Sequence, residues 1–201
     1  MTIPRVCSLL CTIICAGLLV LTVSSRPGTA QQDKNRELLP VADGPIFDQS
    51  PFDGVGDALD ETLLNTVALN AGLLEIRPAL EFDLGHINPS RIESATLRIV
   101  NTSTGIIPGI TTIPVEVFGY RGDGAIQNED FSAGSLVTQF DSLATPDNVP
   151  VNLDVTEFIQ GLRPSQPRIV GFTLRTSVHG VQLNYGTLEF APAPVLLLTL
   201  K

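Results

Sequence analysis

From Thr66 to Leu200 the chain is written as short apolar alternations separated by turn residues, and no other feature limits its fold so strongly. Leu74, Ile76, Leu80, Phe82 and Leu84 mark an extended segment, with Pro78 predicting a bulge or an edge position. Ala95, Leu97 and Ile99 share one face of the next segment, with Thr96 and Arg98 on the other. Ile113, Val115 and Val117 alternate with Glu116 and Phe118, and further runs follow at 136–140, 149–155, 169–174, 181–185 and 195–200. Glycine, proline, asparagine and aspartate cluster between them, as at Pro108-Gly109 and Thr145-Pro146-Asp147-Asn148. About eight short strands with regular turn signals predict an antiparallel β-sandwich or barrel. The one helical candidate is a turn or two over Thr156–Leu162, with Thr156 as cap and Gly161 as terminator.

The three cysteines, Cys7, Cys11 and Cys15, all fall in the apolar run from Val6 to Val23. That run follows Arg5 and leads into Arg26-Pro27-Gly28-Thr29-Ala30, the layout of a secretory leader with a small-x-small cleavage end. The expectation is a signal peptide over 1–30 and a secreted, extracellular or periplasmic protein with no disulfide. Retention of the run as an N-terminal anchor is the alternative. The whole chain carries a net charge of −9, and loss of Arg5 and Arg26 makes the remainder more acidic. Such a surface repels nucleic acid and anionic membranes. Pro194–Leu200 is far shorter than the ~20 residues of a spanning helix, so no membrane insertion is expected after cleavage. Residues 31–65 hold Asp43, Asp48, Asp53, Asp57 and Asp60 among glycines and prolines, and read as an irregular acidic segment packed on a domain over 66–201.

The strongest candidate for chemistry is Asp123-Gly124-Ala125-Ile126-Gln127-Asn128-Glu129-Asp130. With Gly124 as the glycine of a calcium loop, Asp123 and Asp130 take ligand positions, but Gly119 and Arg121 stand where two anionic ligands belong. That excludes a complete EF-hand and leaves Asp123, Glu129 and Asp130 as a partial calcium set, against a plain glycine-rich turn. The aspartates of 43–60 are a second such cluster, equally readable as solvated turns. Arg121-Gly122-Asp123 spells the tripeptide read by animal integrins, a match short enough to arise by chance. His86 and His179 lie in turn-like sequence far from any Gly-x-Ser-x-Gly elbow, so neither nominates a hydrolase triad. With no tryptophan in the chain, Tyr120 and Tyr185 are the aromatics available to stack on a sugar ring; burial of both is the plainer alternative.

Glu81-Phe82-Asp83-Leu84 followed by Ile92 to Ile99, then Asp154-Val155-Thr156 with Phe158-Ile159, then Gly171-Phe172-Thr173-Leu174, Glu189 and Pro194–Leu198, resemble the DNRLRE-type jelly-roll domains. Those are secreted bacterial β-sandwiches related to carbohydrate-binding modules. The resemblance runs over roughly Ile76 to Leu200, about two thirds of the chain. It departs from the family in lacking tryptophan and in carrying the Gly119-Tyr120-Arg121-Gly122-Asp123-Gly124 loop. It implies a jelly-roll sandwich and a bacterial cell-surface or secreted address. The expected function is a non-catalytic extracellular domain for structure, adhesion or assembly, with calcium as candidate stabiliser and a polysaccharide or surface protein as partner. A carbohydrate-binding module is the alternative, and a glycan-active enzyme the third reading.

Overall fold

A computed structural model describes residues 34–49, 54–59, 66–70, 74–163, 168–188 and 191–201. The expected leader and Asp53, Asp60 and Glu189 lie outside the described residues. The protein is an all-β sandwich of two antiparallel sheets. In chain order its strands are β1 (Asn35–Leu38), β2 (Ala42–Asp48), β3 (Ala58–Leu59), β4 (Thr66–Asn70), β5 (Glu75–Asp83), β6 (Ile92–Ile106), β7 (Pro114–Arg121), β8 (Ser135–Asp141), β9 (Pro150–Asp154), β10 (Ile169–Thr176), β11 (Val181–Tyr185) and β12 (Val195–Leu200). The helix α1 spans Thr156–Gln160. One sheet is built on the first half of β6, with β12 and then β1 on one side and β9 on the other. The second runs β3-β2-β5-β10-β7-β8; past the end of β10, β5 also pairs with β4, which leads to β11 and the far half of β6.

The strands from 75 to 200 fall where the alternations predict them. Their inward residues form the main core, where Phe172 meets Phe82 at 6.2 Å and Phe158 at 5.6 Å between ring centroids, both edge to face. Such aromatic contacts add to the burial of apolar surface that drives folding.

Within 31–65, expected as an irregular acidic segment of loop with short extended pieces, 35–38 pair with β12 and 42–48 pair with β5. Two local expectations are corrected. Pro78 sits inside β5 rather than at a bulge or sheet edge, facing Pro45 of β2. Neither proline has an N–H, so they share a pair position that exchanges no hydrogen bonds, and the other side of Pro78 meets the gap between β4 and β10. Thr156 does not cap α1: Asp154 Oδ1 accepts the Thr156 N–H at 2.9 Å, while the Thr156 hydroxyl accepts the Ala95 N–H at 2.9 Å and ties the helix to β6.

β6 also outruns its expected end at Val100, passing from one sheet to the other near Asn101. The buried Asn101 side chain donates to Asp147 Oδ1 at 2.8 Å, and the Asn101 backbone carbonyl accepts the Asn148 N–H at 2.7 Å. The neighbouring turn thus supplies partners for the Asn101 amide nitrogen and backbone carbonyl.

Candidate functional site: a roofed carboxylate and the groove beside it

Between β7 and β8 the chain leaves the sheet for residues 122–134, which include a short 3-10 turn at Asn128–Ser132. This loop lies across the outer face of the second sheet, the face to which alternate residues of β5 point. Phe131 packs there with Ile46 and Ala79, with Ile126 against them. Arg77 fastens the turn by placing its guanidinium 3.7 Å from the centroid of the Phe131 ring and donating to the Phe131 carbonyl, while Glu75 holds it at 2.7 Å.

Glu81, on the same face, is wholly buried at 0% exposure. Its Oε2 accepts the Gly124 N–H at 2.6 Å. The Tyr120 side chain lies beside it, also buried at 3% exposure. Neither Glu81 Oε1 nor the Tyr120 hydroxyl makes a hydrogen bond of good geometry among the described residues. The closeness depends on absent side chains: a Cβ on Gly122 would strike the Glu81 carboxylate, and one on Gly171 would strike the Tyr120 ring. Burial holds the Glu81 carboxyl above the usual carboxylate range; the Gly124 N–H opposes this, and the charge of Asp130 adds to it. Burial likewise raises the Tyr120 phenol.

Asp123 and Asp130, the candidate calcium ligands, serve the loop itself. Asp123 accepts from the Ala125 N–H at 3.1 Å and from Gln127 Nε2 at 2.5 Å. Asp130 accepts the Gln127 N–H at 2.8 Å, closing a capping box at the start of the 3-10 turn. Burial raises the Asp130 carboxyl, with the Gln127 N–H pulling against it. Glu129 is exposed. Among the described residues no group of three or more acid, histidine or cysteine side chains is placed to hold a metal ion. Acids of the N-terminal segment are also hydrogen-bonded to backbone: Asp43 accepts the distant Leu188 N–H, while Asp48 accepts the Gly54 N–H and Asp57 the Gln49 N–H across the residues between them.

Tyr120 and Tyr185, expected as sugar contacts, are each only 3% exposed. Tyr185 belongs to the main core with its hydroxyl toward Ser142, and Tyr120 is roofed by the loop, so neither ring offers a face to a ligand. In Arg121-Gly122-Asp123 the glycine is buried against Glu81, so the tripeptide is not displayed at a loop tip. His86 and His179 sit in exposed turns at separate places in the chain.

The concavity here lies at the far end of the loop. A groove of about 680 Å³ runs between Gly119–Arg121, Ala133–Val137 and α1 with the residues after it. Leu136, Val137, Phe158 and Leu162 give it apolar walls, and Arg121, Ser135 and Glu157 bring polar groups to it. Gly134 has φ +86° and passes so close to Gly119 that a side chain there would strike its carbonyl, which keeps this end of the groove thin-walled. Sequence reasoning singled out neither Glu81 nor the groove. The one readable sign of Glu81 is a carboxylate within the apolar run Leu80-Glu81-Phe82; the groove residues come from three separate segments.

No protein-family model and no curated protein matches this chain. Among solved structures, it has a likeness to xylanase 10C (mutant E385A) from Cellvibrio japonicus in complex with xylopentaose, at 13% identity and a TM-score of 0.39. The match covers 81% of this chain and 28% of that one. A likeness that slight says nothing of activity.

Proposed function

We propose that this is an exported, non-catalytic domain with a structural or assembly role at the bacterial surface. The observation that carries the reading is that the loop richest in chemistry is spent on the fold. Its acids cap its own turns, and the carboxylate and phenol beneath it are sealed from solvent. A carboxyl group that meets no solvent has no route to a substrate, whatever its proton affinity. Export rests on the leader-like run, and the acidic surface fits a protein kept apart from nucleic acid and anionic membranes.

Carbohydrate binding is the second reading, and one observation favours it: the groove has the volume of a ligand site and carries the half-buried Phe158 ring in its wall. Incubation of the folded domain with insoluble polysaccharides, followed by sedimentation and a reducing-end assay, separates the readings. The structural reading expects neither saturable retention nor released ends, with the protein recovered in the surface or matrix fraction of cells. Saturable retention lost in Phe158→Ala would transfer the function to sugar binding. Released reducing ends would overturn the non-catalytic assignment.

A further inference from the structure

We propose that residues 122–125 form a proton-operated flap. It closes over Glu81 while that carboxyl carries its proton and lifts from the sheet once the carboxyl is charged.

The flap stands over one row of the second sheet. Gly171 of β10 pairs with Glu81 on one side and with Tyr120 on the other. With no side chain at Gly171, the Tyr120 ring lies across that strand toward Glu81. Gly122 rests directly on the Glu81 carboxylate, and Gly124 donates its N–H to Oε2 at 2.6 Å. Oε1 and the phenol oxygen are buried with no hydrogen bond of good geometry. The phenol can serve either state of Glu81, accepting from the acid or donating to the anion. Charge therefore decides which state the closed flap holds.

Among the described residues no cation faces this carboxyl. Arg77 of β5 is two same-face positions away, about 13 Å along the strand, and is held by Glu75 and the Phe131 carbonyl. Arg175 of β10 stands as far from Gly171 and is held by Glu116 of β7. Arg121 has the opposite parity to Tyr120 and leaves β7 on the other face, and Arg168 turns to the Gly85 carbonyl and His86. The acids around the row are committed elsewhere: Asp43 to the Leu188 N–H, Asp48 to the Gly54 N–H and Asp83 to the Gly85 N–H. The loop brings only further acids, Asp123, Glu129 and Asp130, and the charges of Asp123 and Asp130 are felt at Glu81. An anion enclosed beneath two others, with one backbone N–H to stabilise it, favours opening.

The flap can move without the rest of the loop. It bonds to the sheet through Gly124 to Glu81 and through the Gly122 N–H to the Ile169 carbonyl at 3.1 Å. Beyond it, Ile126 and Phe131 pack on Ile46 and Ala79, and Arg77 pins the Phe131 ring. Gly122 and Gly124, the latter at φ +101°, supply the backbone freedom of a hinge. Burial raises the Glu81 carboxyl, so the closed state holds the proton more tightly than an open state in which the group meets water. Closure is fully favoured below the ordinary carboxylate range and weakens as pH rises through the raised value. The outer face thus presents a carboxylate and a phenol only in less acidic surroundings. This device goes beyond the proposed function, which is read from the closed state.

The test is amide hydrogen exchange by NMR on the folded protein over roughly pH 4–8, with each rate corrected for its intrinsic value. Gly122 and Gly124 should exchange about tenfold or more faster than Phe172 of the core, because they open locally. Their protection should fall as pH rises, about tenfold for each unit by which burial raises Glu81. Glu81→Gln keeps an acceptor for the Gly124 N–H, and its protection there should not change with pH. Protection equal to that of Phe172 would show flap and core opening only together, and would overturn the proposal. So would flap protection that ignores pH, or a fall that survives Glu81→Gln. The first two of these are read in the parent chain alone, so the test does not depend on the variant folding.

Discussion

Strand β5 faces two different interiors. Leu80 and Phe82 point into the main core between the sheets, while Ala79 and Glu81 point under the 122–134 loop. The first environment is apolar and close-packed, and its stability comes from contact area. The second holds a carboxylate, a phenol and glycines set against them, and it stands only while each polar group keeps its place. The contrast teaches that the core tolerates changes of shape in proportion to lost volume, whereas the roofed face responds to single atoms and to protons.

The largest effect should fall in the core. Phe172→Ala removes a fully buried ring that contacts two others, and should cost about 3–5 kcal/mol in chemical denaturation. A cost below that of the loop variants would reverse the comparison. Next comes Gly171→Ala, whose added Cβ must displace Tyr120. It should cost about 1–3 kcal/mol and open 122–134 to limited proteolysis while the rest of the sandwich stays protected. Uniform protease sensitivity would show instead that roof and core unfold as one.

Glu81→Gln sharpens the comparison through pH. The Glu81 carboxyl is raised in the folded state, so the folded protein holds its proton more tightly than the unfolded chain does. Stability is therefore lost as pH rises from the unfolded value through the folded one, and regained as pH falls. The glutamine variant keeps an acceptor for the Gly124 N–H without the charge. It should melt higher than the parent at neutral pH and lose that advantage on acidification through this window. A lower melting temperature at neutral pH would mean that the loop needs the charge.

Asp154→Ala should act in the opposite sense and more weakly. Hydrogen bonds from Thr156 hold this largely exposed carboxyl below the usual range, so its contribution is present above the unfolded value and lost as pH falls through the folded one. The loss near pH 7 should be about 0.5–1 kcal/mol, as for an exposed cap, and should fade in acid. Calcium ranks last. After EDTA treatment its return should leave the melting temperature unmoved, since Asp123 and Asp130 are committed to loop hydrogen bonds. A rise of several degrees abolished in the Asp123→Ala, Asp130→Ala double variant would restore an ion to this loop.

The sequence by itself determined the strands from 75 to 200, the short helix and the apolar faces that meet in the core. Alternation and turn residues are local signals, and burial of one face follows directly from them. It could not reveal that β6 continues past Asn101, because Asn101-Thr102-Ser103-Thr104-Gly105 reads as a turn until the partners of Asn101 are known. Nor could it assign β1 and β2, whose glycine- and proline-rich stretch becomes extended only because β12 and β5 present open edges to it. The same limit applied to function. Asp123 and Asp130 read as candidate ligands or plain turn residues, and Tyr120 as a candidate sugar contact or a buried ring. Only the tertiary structure showed that the loop folds back over Glu81, bonds both aspartates within its own turns and roofs Tyr120. Strand alternation is fixed between neighbours in the chain, whereas the value of a polar group is set by whatever packs over it, here from a segment about forty residues away.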